Sequence, residues 1–161
     1  MVKQILSVLV IVLIGVIAGA LIYLFYPENW EISVVTLYWG NKVEDPEGLF
    51  CERVYPLERE VRGAVEDRIL LAVEELLKGP TEEEMEKGFF TTINPGVKVQ
   101  SLTVEGRVAK VDFDETMESA VGGSCRVGAI RAQITETLKH FPDIDDVIIS
   151  VDGRIEDILQ P

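Results

Sequence analysis

Histidine is almost missing from this 161-residue chain: His140 is the only one, and Cys51 and Cys125 are the only cysteines. Two thiols and one imidazole cannot supply the four nitrogen or sulfur ligands of a structural zinc site. His140 stands at the end of a helical pattern, where it suits a dipole partner or a surface residue; as a catalytic base it has no sequence neighbour to orient it. Ser124 follows Gly122-Gly123 without the strand–elbow pattern of an activated serine, and it reads as a helix N-cap. There is no glycine-rich phosphate loop, no internal repeat and no low-complexity tract. Positive charge is also scarce. Fifteen Lys and Arg against 28 Asp and Glu give a net charge of −13, which repels nucleic acid and anionic headgroups and excludes nucleic acid as a partner. The residues offer no catalytic, cofactor or metal set, and the chain reads as a non-enzyme.

The carboxylates form clusters without a binding loop. Asp112 and Asp114 share one face of a strand, with Glu115 beside them, and Asp143, Asp145 and Asp146 form a second group. Two carboxylates on one face could share a cation, but neither group carries the Asp-x-Asp-x-Asp-Gly…Glu spacing of a calcium loop. Solvated edge or helix-flanking charge is the better account. Glu82-Glu83-Glu84 falls in the first turn of a short helix, where negative charge complements the dipole.

What is present, first, is a long apolar run. Ile5 to Tyr26 is 22 residues without a charge, broken only by Ser7, Gly15 and Gly19 among the apolar side chains. As a helix it measures roughly 33 Å, enough for a hydrocarbon core of about 30 Å. Lys3 precedes it and Glu28 and Glu31 follow, so the positive-inside bias puts residues 1–4 in the cytoplasm and everything after Pro27 outside. Tyr23, Phe25, Tyr26 and Trp30 stand where interfacial aromatics are expected. Ala18-Gly19-Ala20 matches a signal-peptidase site, but cleavage there would leave an apolar Leu-Ile-Tyr-Leu-Phe-Tyr terminus. A retained single-pass anchor over 5–26 is therefore the reading. Ile17-Ala18-Gly19-Ala20 has the shape of a lipobox with alanine in the acceptor position, so it cannot be lipidated. Residues 27–32 form a linker of at most about 20 Å, and 33–159 make one domain large enough for a core of its own.

Ser33–Trp39 and Leu49–Val61 read as a hairpin around the turn residues Gly40-Asn41 and Asp45-Pro46-Glu47-Gly48. Ala64–Lys78 carries apolar residues at helical spacing, and Thr81–Lys87 is a short helix ending at Gly88. After the Asn94-Pro95-Gly96 turn, Val97–Glu105 is a strand whose alternation changes phase between 99 and 102, the mark of a bulge. Arg107–Asp114 and Val147–Val151 are further strands, and Ser124–Phe141 is the second long helix. The expected fold is α+β: two helices on one mixed or antiparallel sheet, in the order ββ-α-β-β-α-β.

The sharpest punctuation is Leu76-Leu77-Lys78-Gly79-Pro80-Thr81-Glu82-Glu83-Glu84. Gly79 suits the position past a helix end, Pro80 cannot continue that helix, and Thr81 with Glu84 makes a capping box for the next. Together with Leu-Tyr-Trp-Gly at 37–40, Val-Tyr-Pro-Leu at 54–57, Thr91-Thr92-Ile93-Asn94-Pro95-Gly96, Val111-Asp112-Phe113, Gln133-Ile134-Thr135-Glu136-Thr137-Leu138 and Val151-Asp152-Gly153, it resembles the GerMN, or sporulation and spore germination, domain family. The resemblance covers about residues 33–159. It implies an extracytoplasmic domain held at the membrane, with a core similar to the ring-building motif of secretion and sporulation assemblies. It makes Leu76, Leu77, Gly79, Pro80, Asn94, Pro95, Gly96, Asp112, Thr137, Asp152 and Gly153 markers of the fold. This chain has one such domain where the spore-forming prototype has two, and a helix in place of a lipid.

Two features stay open at this level. Cys51 and Cys125 are either two small buried hydrophobes or a disulfide, which would close a loop of about 74 residues and stabilise by ~4 kcal/mol. Tyr38, Trp39, Phe89 and Phe90 are either core or the anchors of a protein contact. The function expected is that of a membrane-anchored, non-catalytic module that binds a protein partner or a second copy of itself in the cell envelope. The alternative is a binding module for a cell-wall component or small molecule, which calls for a concave pocket.

Overall fold

Every second side chain of Val35, Leu37 and Trp39 is buried, at 2% exposure or less, while Ile32 and Val34 face solvent. That is the period of a half-buried strand. The structure is a computed structural model and describes residues 11–21, 30–64 and 67–160. They belong to two units, Met1–Trp30 and Glu31–Pro161. In the first, residues 11–21 form a helix, α1, with exposed side chains. Among the described residues no helix is long and apolar enough to cross a membrane. The rest of the apolar run, with Tyr23, Phe25 and Tyr26, lies outside the described residues.

Strand β1 runs Trp30–Asn41, so the last three residues read as linker are already strand. Strand β2 is Tyr55–Ala64 and not the longer Leu49–Val61. The reason is local. The Asp45 carboxylate accepts the backbone N–H groups of Leu49 at 3.3 Å and Phe50 at 3.2 Å, which curls the chain before it can extend. A disulfide then draws Cys51 to Cys125, with Cα atoms 5.0 Å apart. Helix α2, Arg68–Lys78, starts later than Ala64 because β2 continues through that residue.

Thr81 caps helix α3, Glu82–Glu86, in a complete capping box with Glu84. Phe89–Phe90 form a two-residue strand, β3, antiparallel to Gly40 and Asn41 of β1. Strands β4, Val99–Glu105, and β5, Val108–Phe113, make an antiparallel pair with a register shift between Val99 and Ser101. A 3-10 turn at Glu115–Glu118 leads to helix α4, Ser124–Lys139. Its N-cap is Gly123, at φ 85°, with no side-chain cap, so Ser124 is the first helical residue and not the cap. Strand β6, Asp146–Val151, runs parallel to β5.

The strands form two three-stranded sheets, β2-β1-β3 and β4-β5-β6, in place of the single sheet expected. Strand periodicity reports which face is buried; it carries no information on the neighbour. Here α4 returns the chain so that β6 lies along β5, while β1 is flanked by β2 and the short β3. Helices α2 and α4 pack on each other, and α2 also touches β2 of one sheet and β4 of the other. One buried cluster therefore joins both sheets, with Trp39, Leu76, Phe113, Ile130, Ile134 and Leu138 among its members. Ile134 is fully buried on α4; Ile134→Ala is expected to lower the stability of the domain by about 3 kcal/mol in urea unfolding followed by circular dichroism.

Candidate functional site

Arg59 sits on the inward face of β2 between Leu57 and Val61, and its side chain is only 13% exposed. Its Nη1 donates to the Glu75 carboxylate at 3.0 Å and to the Glu75 carbonyl at 3.3 Å. Nη2 donates to the Gly79 carbonyl at 3.2 Å and to Glu84 Oε2, while Nε reaches Glu84 Oε1 at 3.3 Å. The guanidinium lies over the Trp39 ring, 4.9 Å from its centroid. One planar cation thus ties the last turn of α2, the Gly79-Pro80 break and the first turn of α3 to β2. Gly79 itself is at φ 75°, where a side chain is strained. Burial pushes the Glu84 carboxyl up, but Arg59 and the Thr81 backbone N–H, which donates at 2.6 Å, outweigh it and hold the group below its ordinary 4.5.

A second network fixes the segment after β3. Gln133, buried on α4, donates to Thr92 Oγ1 at 2.6 Å and to the Ala129 carbonyl at 3.1 Å, and it accepts from Thr91 Oγ1 at 2.8 Å. Asn94 donates to the carbonyls of Thr116 at 2.7 Å and Ser119 at 2.8 Å, while Arg126 donates to Asn94 Oδ1 at 2.5 Å. Pro95 and Gly96 are exposed beyond this anchor. Thr137, also buried, accepts the Tyr38 N–H at 3.0 Å and so pins α4 to β1.

The acidic groups serve turns. Asp112 Oδ1 accepts from Ser150 Oγ at 2.6 Å and from the Gly153 N–H at 2.9 Å, bracing the Asp152-Gly153 turn. Asp114 accepts from the Lys98 N–H at 3.0 Å and from Thr116 Oγ1 at 3.0 Å. Asp145 pairs with Arg107 through two hydrogen bonds of 2.5 and 2.7 Å. Among the described residues no three Asp, Glu, His or Cys side chains converge as a metal site would require. His140 Nδ1 shares a hydrogen bond of 3.2 Å with the Tyr38 hydroxyl on the surface.

Trp39 is fully buried and belongs to the core; its indole Nε1 has no hydrogen-bond partner among the described residues. Tyr38 and Phe89 are half-buried, and Phe90 is exposed at the sheet edge. Beside the disulfide, Phe50, Phe90 and Gln133 border a cleft of about 50 Å³. That admits a water molecule or two, far short of the 300–1,000 Å³ of an ordinary ligand pocket.

Residues 36–157 match the family model Germane, described as sporulation and spore germination. The chain belongs to this family. The domain is similar to the structure of the tandem GerMN domains of the sporulation protein GerM from Bacillus subtilis, at 24% identity and a TM-score of 0.57 over 76% of this chain. It spans about 40% of the length of that tandem structure. Against the first GerMN domain of the same protein the identity is 21% and the TM-score 0.56, over 76% of this chain and 85% of that one. Both likenesses concern the fold. No curated protein matches the chain.

Within this Germane domain three of the motif residues are held by side chains from elsewhere in the chain: Gly79 by Arg59, Asn94 by Arg126 and Gly153 by Asp112. Of the holders, Gln133 opens one of the segments that carry the family resemblance, while Arg59 and Arg126 were not singled out by sequence reasoning. Arg59 could have been, since alternation along Leu57-Glu58-Arg59-Glu60-Val61 places it on the apolar face. Removing it leaves Glu84 without its cation and Glu75 with only the exposed Lys78, and both acids are less than one-fifth exposed. Arg59→Ala is expected to lower stability by about 3 kcal/mol, and Arg59→Lys to recover only part, because lysine has no fork.

The Glu84 shift also fixes a sign. A carboxyl held below its ordinary value contributes stability that is complete above 4.5 and is lost as pH falls through the lowered, folded value. Between about pH 6 and 3 the urea midpoint of the native domain should therefore fall further than that of Glu84→Gln. Parallel declines would show that Glu84 contributes nothing to acid sensitivity.

Proposed function

We propose that this Germane domain is a non-catalytic protein-interaction module of the bacterial cell envelope, carried outside the membrane by an anchor at residues 5–26 with the N-terminus in the cytoplasm. The observation that supports it most is where the reactive side chains are spent. Asp112, Asp114, Glu84, Gln133 and Thr137 all hydrogen-bond to turns, caps or strands of the domain itself. None of these bonds leaves a general acid and base facing a common space, which is the arrangement catalysis calls for. The anchor rests on the uncharged 22-residue run, and the disulfide suits an oxidising compartment. The sporulation and germination description of the family supports a place in the envelope of a spore-forming programme.

The rival reading, a binder of a small cell-wall component, would rest on the cleft beside the disulfide. Its size favours a solid domain. A wider depression of about 510 Å³, between the last turns of α2 and the segment Gly96–Val99, has the volume of a ligand pocket but lies open to solvent.

Photo-cross-linking in the native envelope tests the proposal. A photoreactive residue at exposed surface positions should yield discrete adducts with protein, in the membrane fraction, and protease added to spheroplasts should digest the domain. A domain that stays protease-protected while the cells are intact at the inner membrane, or that gives no protein adduct from any face, would sink it.

A further inference from the structure

Resting on the interaction-module reading above, we propose that the β1–β2 loop, residues 42–54, is the docking surface, and that its occupant is a basic amphipathic segment of a partner protein.

The loop is unusual in being both fixed and greasy. Its start is held by Asn41, whose buried Oδ1 accepts the N–H groups of Val43 at 2.8 Å and Glu44 at 3.3 Å, and by the Lys42 N–H on the Gly88 carbonyl at 2.9 Å. Its middle is curled by the Asp45 carboxylate, and its end is bolted to α4 by the Cys51–Cys125 disulfide. Glu52 lies against α4 at Gly128, where an added Cβ would meet its Oε1 at 2.7 Å. A segment held at so many points still exposes Val43 at 67%, Leu49 at 67% and Phe50 at 53%. Single exposed apolar residues need no explanation. Three on a rigid loop, next to exposed Phe90, form a preorganised contact that loses little entropy on binding. Phe90 is itself fixed, because its ring covers Gly40 so closely that a Cβ there would fall 2.4 Å from Cζ. Phe50 and Phe90 border the same small cleft, a seat for one apolar group of the partner.

Charge names the partner. The loop carries Glu44, Asp45, Glu47 and Glu52 against Lys42 and Arg53. Both cations lie over aromatic rings, Arg53 3.9 Å from the Phe50 centroid and Lys42 5.7 Å from that of Phe90 on β3. Glu44 and Glu47 are exposed and, among the described residues, take part in no salt bridge, so they add unneutralised negative charge beside the apolar side chains. Lys or Arg flanking apolar residues is the complement, and such a match steers association as well as fixing register. Anionic lipid and a second copy of this acidic domain are both disfavoured by the same charge.

The test uses the disulfide-bonded domain and, as probe, a synthetic amphipathic Leu/Lys helix of about 18 residues, with its Leu/Glu counterpart as control. Amide shifts should localise to residues 42–54 and 89–90. Leu49→Ser with Phe50→Ser should weaken binding at least about tenfold, Glu44→Gln with Glu47→Gln should weaken it and flatten its salt dependence, and reduction of the disulfide should weaken it. Glu58→Gln with Glu60→Gln on exposed β2 should change it less than about twofold. Unaltered circular dichroism and urea midpoints show that the loop variants are folded. Shifts spread over the whole acidic surface, equal binding by the serine variant, or self-association abolished by Phe50→Ser would each overturn the proposal. In the envelope, adducts from a cross-linker at Gln100 but none from one at Leu49 would sink this surface and leave the interaction-module reading standing.

Discussion

The course of the chain after α2 depends on one cation under a bend. Arg59 holds the carbonyls of Glu75 and Gly79 and the carboxylates of Glu75 and Glu84, and it rests on the Trp39 ring. A Gly-Pro break lets the chain change direction but does not choose one, since both residues act by permitting or forbidding backbone states. The choice comes from the guanidinium, whose planar fork fixes donors in several directions at once. Its burial would be costly unpaired, and the two carboxylates with the carbonyls offset that cost. The orphaned Trp39 Nε1 sits beneath this arrangement; leaving it unpaired costs about 1–3 kcal/mol, a burden that the apolar burial of a whole indole in the core outweighs.

Much of the fold was legible because it is written in short-range signals. The capping box at Thr81–Glu84, the bulge near Val99 and the two amphipathic helices each depend on residues within one or two turns of each other. The division into two sheets was not legible, because it depends on which strand β1 and β5 find as neighbours. The two-residue β3 was invisible for a related reason. Phe89-Phe90 is too short to show a period, and it is a strand only because Gly40 and Asn41 are beside it. The Ser124 cap failed because Gly123 offers a positive φ that starts the helix one residue earlier; a serine next to a glycine gives no sign of which will take the position.

The polar residues illustrate the same limit in a different way. Asp112 and Asp114 do not share a strand as their spacing suggests: β5 ends at Phe113, Asp114 opens the 3-10 turn, and each carboxylate is committed to a separate turn. Sequence spacing says which groups can share a face; hydrogen-bond donors brought in from forty residues away decide what they do. Gln133 is the clearest case. Buried amides must find partners, and its partners Thr91 and Thr92 stand 42 and 41 residues earlier in the chain, before β4. A motif such as Thr-Thr-Ile-Asn-Pro-Gly therefore marks a family by how it is held, and its holders are scattered through the chain.

That distribution bears on where a partner can act. A domain whose turns are clasped from within has little polar freedom left in its interior, and its charge is predominantly acidic. The loop at 42–54 departs from this pattern, since it is tied at several points while Val43, Leu49 and Phe50 stay exposed. Rigidity without burial has a stability cost and no folding benefit at those side chains, because an exposed leucine or phenylalanine contributes nothing to the core. The disulfide sharpens the contrast. Its long closed segment stabilises the domain through the unfolded chain, but the end it fastens is the loop, whose shape no strand pairing maintains. One bond thus serves both ends, stabilising the fold and holding the apolar contact of the loop in place.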